Sequence, residues 1–248
     1  MEVTIAAFSF LPGLAIGSFL NVIAARIPLR RSIVKPGSAC MSCHAPLAWY
    51  DNVPLVSFAV LRGRCRHCGS RIAWRYPLVE LSTAVLTSAC ILEFGVSWHA
   101  LIAASFCASL VVVSATDLER RVIPNLIVLP AAATVLVGNT LLHPSVEWAA
   151  AGLGAALFLL LAALAYPSGM GMGDVKLALL LGVALGRTVP VAMMAGMLSA
   201  LAPSVILFAR HGMAARKMSI PFGPFLAFGG LVALFAGKPL LDAYLGLL

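Results

Sequence analysis

The chain has 248 residues, of which 61% are apolar and 10% charged, with a net charge of +8. A soluble domain is about a quarter charged, so a single water-soluble core is excluded. The apolar residues fall in runs near the ~20 residues that cross a bilayer, and the positive charge then reads as the positive-inside bias of a membrane protein, with no nucleic-acid partner expected.

Eight spans are predicted, at 4–25, 77–95, 98–116, 122–142, 147–166, 174–187, 189–209 and 222–242. Helices are expected, because an open sheet would leave backbone groups unsatisfied in lipid. The first span has no basic segment before it and no small-residue cleavage site after it, so it is expected to stay as a membrane helix. Placing its N-terminus outside leaves 26–76, 117–121, 167–173 and 210–221 in the cytoplasm. Those segments, with Lys176, carry 15 of the 17 Lys and Arg residues; Arg187 and Lys238 fall on the other side. The sixth span is short. Either Arg187 snorkels, or the helix begins below the membrane surface and Asp174 lies inside the bundle.

The polar segment 26–76 is broken by Pro28, Pro36, Pro46 and Pro54, which argues for a small, loop-rich unit. A unit of that size needs a staple. Cys40-Met41-Ser42-Cys43 and Cys65-Arg66-His67-Cys68 supply one. Each CxxC turn aims two thiolates at one point, and four thiolates complete the tetrahedral shell of structural Zn²⁺. Gly69 helps the backbone turn under the metal. Disulfides are disfavoured in a reducing cytosol. His44 and His67 are adjacent, but the four cysteines already fill the shell. Cys90 and Cys107 lie inside spans and read as packing residues.

Asp117 closes the third span and Asp174 opens the sixth, at similar depth although 57 residues apart. A carboxylate at a membrane helix is costly and is a functional candidate by default. Two that meet would share a proton, so that one activates water and the other donates to a scissile carbonyl. Each also has a plain reading: Asp174 as a helix N-terminal charge, Asp117 as an interfacial partner of Arg120 and Arg121. Glu119 points about 200° away from Asp117 on a helix, so only one of them faces the bundle. Gly169, Gly171 and Gly173 before Asp174 would let a substrate backbone approach. Glu80, at another cytoplasmic helix start, reads as a third functional acid or an N-terminal charge. There is no GxSxG, no HExxH and no dinucleotide or P-loop pattern.

These residues resemble the type IV prepilin peptidase family, which includes the type II secretion prepilin peptidases. The likeness rests on Gly17-Ser18-Phe19-Leu20-Asn21-Val22, the two CxxC pairs, Tyr76-Pro77-Leu78-Val79-Glu80, the stretch from Asp117 to Asn125, Gly171-Met172-Gly173-Asp174-Val175-Lys176, and Ile220-Pro221-Phe222-Gly223-Pro224-Phe225, in the family's order. The resemblance implies an all-α polytopic protein of the bacterial inner membrane with a periplasmic N-terminus. It would comprise a first helix (1–25), a cytoplasmic zinc-ribbon-like domain (26–76) and a peptidase bundle (77–248). It further implies cleavage of the basic leader from prepilins or pseudopilins on the cytoplasmic side, with Asp117 and Asp174 catalytic. N-methylation of the new N-terminus by S-adenosylmethionine would follow. Asn125 stands where many members carry an acid, and no residue is assignable to the methyl donor.

Two other readings compete. A transporter with a zinc-stabilised domain would place its acids nearer the bilayer midplane. An assembly scaffold would use Gly13 and Gly17 as a helix-packing face.

Overall fold

A computed structural model describes residues 2–166, 170–213 and 220–246. Gly169 of the glycine run, and Arg216 and Lys217 of the last basic segment, lie outside the described residues. Among those described there is no β-strand, only the isolated bridges Ala39–Pro46 and Arg64–Arg71. The chain divides into two compact units, Met1–Ala115 and Thr116–Leu248.

The first unit contains α1 (Glu2–Arg26), a short helix α2 (Val56–Val60), α3 (Arg75–Phe94) and most of α4 (Trp98–Arg120). α1 packs along α3 through glycines. A Cβ on Gly13 would come within 2.7 Å of Ala84 Cα, and one on Gly17 within 2.6 Å of Glu80 Cα. The face expected of a scaffold's partner-binding helix is therefore used inside the chain. Small residues let helices approach closely where lipid offers no hydrophobic drive.

The second unit contains the end of α4, then α5 (Asn125–Leu142), α6 (Glu147–Ala165), α7 (Met172–Leu185), α8 (Val189–His211) and α9 (Gly223–Leu245). On α6 the residues Ala155, Leu159 and Ala163 are buried, while Leu153, Leu157, Leu161 and Leu164 are exposed. In water that exposed leucine stripe would be a defect; in lipid it is the outer surface. Gly182 lets α7 lie against Ala151 and Gly152 of α6. Asn139 of α5, itself buried, donates from Nδ2 to the Val183 carbonyl at 2.9 Å and ties α5 to α7. Gly196 and Gly229 do for α8 and α9 what Gly182 does for α6 and α7.

Among the described residues eight long helices are present, as predicted. Seven continuous stretches are long and apolar enough to cross a membrane, because α7 and α8 run together over Met172–His211 through the 3-10 turn Gly186–Thr188. The 14-residue α7 is about 21 Å long at 1.5 Å per residue. At its far end Arg187 does not act alone. Its Nε reaches Glu147 Oε2 at 3.0 Å and its backbone N–H reaches Glu147 Oε1 at 3.0 Å.

Candidate active site and metal centre

Asp117 sits in the last turn of α4 with 6% of its surface exposed, while Glu119, two residues on, is exposed. Helical geometry alone separates the two acids in this way. The Asp117 backbone carbonyl accepts the Arg121 N–H at 2.8 Å, and Arg121 adopts φ 54°, so the helix ends just past the acid. The backbone N–H of Gly223, at the start of α9, donates to Asp117 Oδ2 at 2.9 Å. A Cβ on Gly223 would lie 2.7 Å from that oxygen, so glycine is what permits the contact.

Asp174 is half-buried in the first turn of α7. Its Oδ2 accepts the Gly171 N–H at 3.2 Å, and its own N–H donates back to the Gly171 carbonyl at 3.1 Å. The reciprocal pair closes the helix start as a capping box does, with backbone standing in for the N-cap side chain. Asp174 lies within electrostatic reach of Asp117. Beside them, Lys176 Nζ donates to Asn125 Oδ1 at 2.8 Å, joining the starts of α7 and α5. Gly173 differs from its expected role. A Cβ there would meet Ile123 Cβ at 2.8 Å, so this glycine serves packing against the segment before α5.

The cysteine pairs converge. The Sγ atoms of Cys40, Cys43, Cys65 and Cys68 all lie within 4.8 Å of one another, with Cys40 and Cys68 at 3.8 Å. Metal–sulfur bonds of about 2.3 Å give a tetrahedron with edges of about 3.8 Å, so the set could hold a zinc ion. Each pair sits in its own backbone knuckle. Cys40 N–H donates to Ala45 O and His44 N–H to Cys40 O; Cys65 N–H donates to Ser70 O and Gly69 N–H to Cys65 O. His44 and Gly69 are therefore counterparts, with φ 58° and 70°. Gly69 takes the left-handed turn expected of it, and His44 takes the same turn without glycine's freedom. His44 and His67 are exposed and stand outside the thiol cluster.

Electrostatics within the cluster are uneven. The N–H groups of Cys43 and Ser42, and then the Ser70 hydroxyl, pull the Cys40 thiol down to about 5. The Ser70 hydroxyl and N–H lower Cys68 as well. The Ala45 N–H favours the Cys43 thiolate, but desolvation and the neighbouring thiols outweigh it and push Cys43 up to about 11. Four thiolates need a cation to coexist. Nearby, the Arg66 guanidinium grips Asp51 through Nε at 3.0 and 3.2 Å and Nη2 at 2.7 Å, which holds the Asp51 carboxyl below its usual range. Cys90 and Cys107 are buried free thiols 3.8 Å apart, as packing residues should be.

Two contacts escaped the sequence reading. The Gly223 bond to Asp117 joins residues 106 apart. The signal available was Ile220-Pro221-Phe222-Gly223-Pro224, a glycine where a proline starts a helix, but it names no partner. The second is the Leu55 N–H, which donates to Glu80 Oε2 at 2.9 Å.

Residues 11–94 match the bacterial peptidase A24 N-terminal domain, and residues 104–209 match the type IV leader peptidase family. The chain belongs to that family of membrane peptidases. It is 36% identical to a prepilin leader peptidase/N-methyltransferase of Bacillus subtilis, over 95% of this chain and 96% of that protein. A protein of the same name from Burkholderia pseudomallei is 36% identical over 94% of this chain and 86% of its own. One from Xanthomonas campestris is 35% identical over 94% and 92%. No solved structure matches the chain.

Proposed function

We propose that this chain is a membrane aspartic endopeptidase that removes the basic leader of prepilins or pseudopilins and then N-methylates the new N-terminus. The peptidase belongs to the bundle 77–248, and Asp117 and Asp174 are its catalytic pair. The observation that carries this reading is that two carboxylates, each held by a glycine N–H, stand at the end of α4 and the start of α7 within electrostatic reach of one another. Carboxylates brought close together share one proton. The ionised member takes a proton from water as the water oxygen attacks the scissile carbonyl carbon. The protonated member donates to the carbonyl oxygen. Collapse of the tetrahedral intermediate returns that proton to its aspartate, while the other aspartate hands the proton it took from water to the amine nitrogen as the carbon–nitrogen bond breaks, with no covalent enzyme intermediate.

Zinc, held by Cys40, Cys43, Cys65 and Cys68, closes the segment 26–76 as a structural ion. S-adenosylmethionine supplies the methyl group. The protein lies in the bacterial inner membrane with its N-terminus in the periplasm and the aspartate pair facing the cytoplasm. The transporter reading finds no support in acids that end and begin helices.

Leader cleavage of a candidate prepilin is the test. Asp117→Asn and Asp174→Asn should each abolish it while the protein still inserts, and Glu119→Gln should retain most activity. A lethal Glu119→Gln beside a mild Asp117→Asn would overturn the assignment.

A further inference from the structure

The first unit buries a carboxylate that peptide hydrolysis does not use. Glu80, in the second turn of α3, is 8% exposed. The groups acting on it are neutral donors, the Leu55 N–H at 2.9 Å and the Ser18 hydroxyl. Among the described residues no Lys, Arg or His pairs with it. On the facing helix, Asn21 is 3% exposed; its Nδ2 donates to the Tyr76 carbonyl at 3.0 Å, but its Oδ1 is buried with no donor. The two residues belong to one seam. Gly17 of α1 presses on the Glu80 backbone, and Asn21, one turn further, reaches Tyr76, one turn before Glu80.

A buried carboxylate without a counter-ion and a buried amide oxygen without a donor are costly side by side. An ionisable group kept inside a membrane helix is a functional candidate, with ligand counter-ion among its roles. Asn21 Oδ1 lacks a donor and the Glu80 carboxylate lacks a counter-ion; both are acceptors, which disfavours an anion and favours an ammonium or sulfonium. Resting on the N-methylation reading above, we infer that Glu80 and Asn21 form the site that receives the α-ammonium of the cleaved prepilin for methyl transfer. An α-amino group is protonated in about half or more of molecules at neutral pH, and only the neutral amine has a lone pair to give. The ammonium donates to the Glu80 carboxylate, which takes one proton from it. The amine nitrogen then bonds to the methyl carbon as the carbon–sulfur bond of the sulfonium breaks, leaving a neutral thioether and a secondary ammonium. The proton on Glu80 passes to water.

The test uses full-length protein and a prepilin with its leader already removed, carrying either a free or an acetylated N-terminus. With no methyl donor present, the wild type should bind the free-amine form more tightly than the acetylated one. Glu80→Gln should erase that preference, and Glu80→Asp should keep part of it. Methylation by Glu80→Gln should fall about 100-fold or more, the scale of a lost proton acceptor, and Glu80→Asp should recover part of it. The inference is overturned if Glu80→Gln methylates normally, or if cleavage and methylation fall together in both variants. It is equally overturned if binding of S-adenosylmethionine weakens while the amine preference stays, which would make this the donor's site. A wild type that cleaves but never methylates would instead defeat the underlying reading.

Discussion

One backbone hydrogen bond governs how Asp117 is presented. The Gly223 N–H fixes Oδ2 at 2.9 Å, and the space where a side chain would sit on Gly223 is filled by that same carboxylate. Gly223→Ala must therefore move the acid or the start of α9 by some tenths of an ångström. Misplacement on the ångström scale costs about 100-fold where reacting groups must align, so cleavage should drop by about 10- to 100-fold with insertion intact. Gly154 on α6 has nothing within 4 Å of its missing Cβ, so Gly154→Ala is the matched control and should cleave like wild type. Equal loss in both variants would remove Gly223 from the site. At this scale the sequence was legible where local geometry decides. Helix rotation required that only one of Asp117 and Glu119 face the bundle, and Asp117 is buried while Glu119 is exposed. The glycine bond was not legible, because partnership across 106 residues depends on how α4 and α9 pack, and no periodicity encodes that.

Among elements, the cysteine knuckles were the most legible, since each is a local turn whose ligands are three residues apart. Their convergence within 4.8 Å agrees with the spacing argument. The His44 counterpart of Gly69 was hidden because histidine takes a left-handed turn far less often than glycine does. Purified protein should hold about one equivalent of zinc, since four thiolates close one shell. Replacing Cys65 and Cys68 by Ser should release the metal and expose residues 36–72 to protease, with the bundle still in the membrane. Metal-free protein that resists protease fully would refute the zinc role. The boundary between α7 and α8 shows the converse limit. Arg187 suggested an end to the sixth span, and the chain does turn there, but through only three residues, Gly186–Thr188. Its charge is met by Glu147 at the start of α6. Hydropathy cannot display such a pair, because the partner belongs to another span 40 residues away.

For the molecule as a whole, charge is the argument for the proposed orientation. Fifteen of 17 Lys and Arg residues fall on the side assigned to the cytoplasm. Positive residues in short loops resist translocation, which is what makes this bias decisive. The two exceptions are weak opponents. Arg187 is neutralised by Glu147 at 3.0 Å. Lys238 is exposed on α9, four residues before Asp242, a spacing that places the two on one helix face. In the proposed orientation the α3–α4 and α5–α6 turns would lie outside, and the α4–α5 and α8–α9 connections inside with the aspartate pair. Reporters that work only outside the cytoplasm should be active when fused after Gly95 or Ser145, and silent after Val122 or Gly212. The reverse pattern would place Asp117 and Asp174 on the periplasmic side, where the basic leader of a prepilin does not reside. Cleavage there would require a substrate of opposite topology, and the leader-peptidase reading of this chain would fall with the orientation.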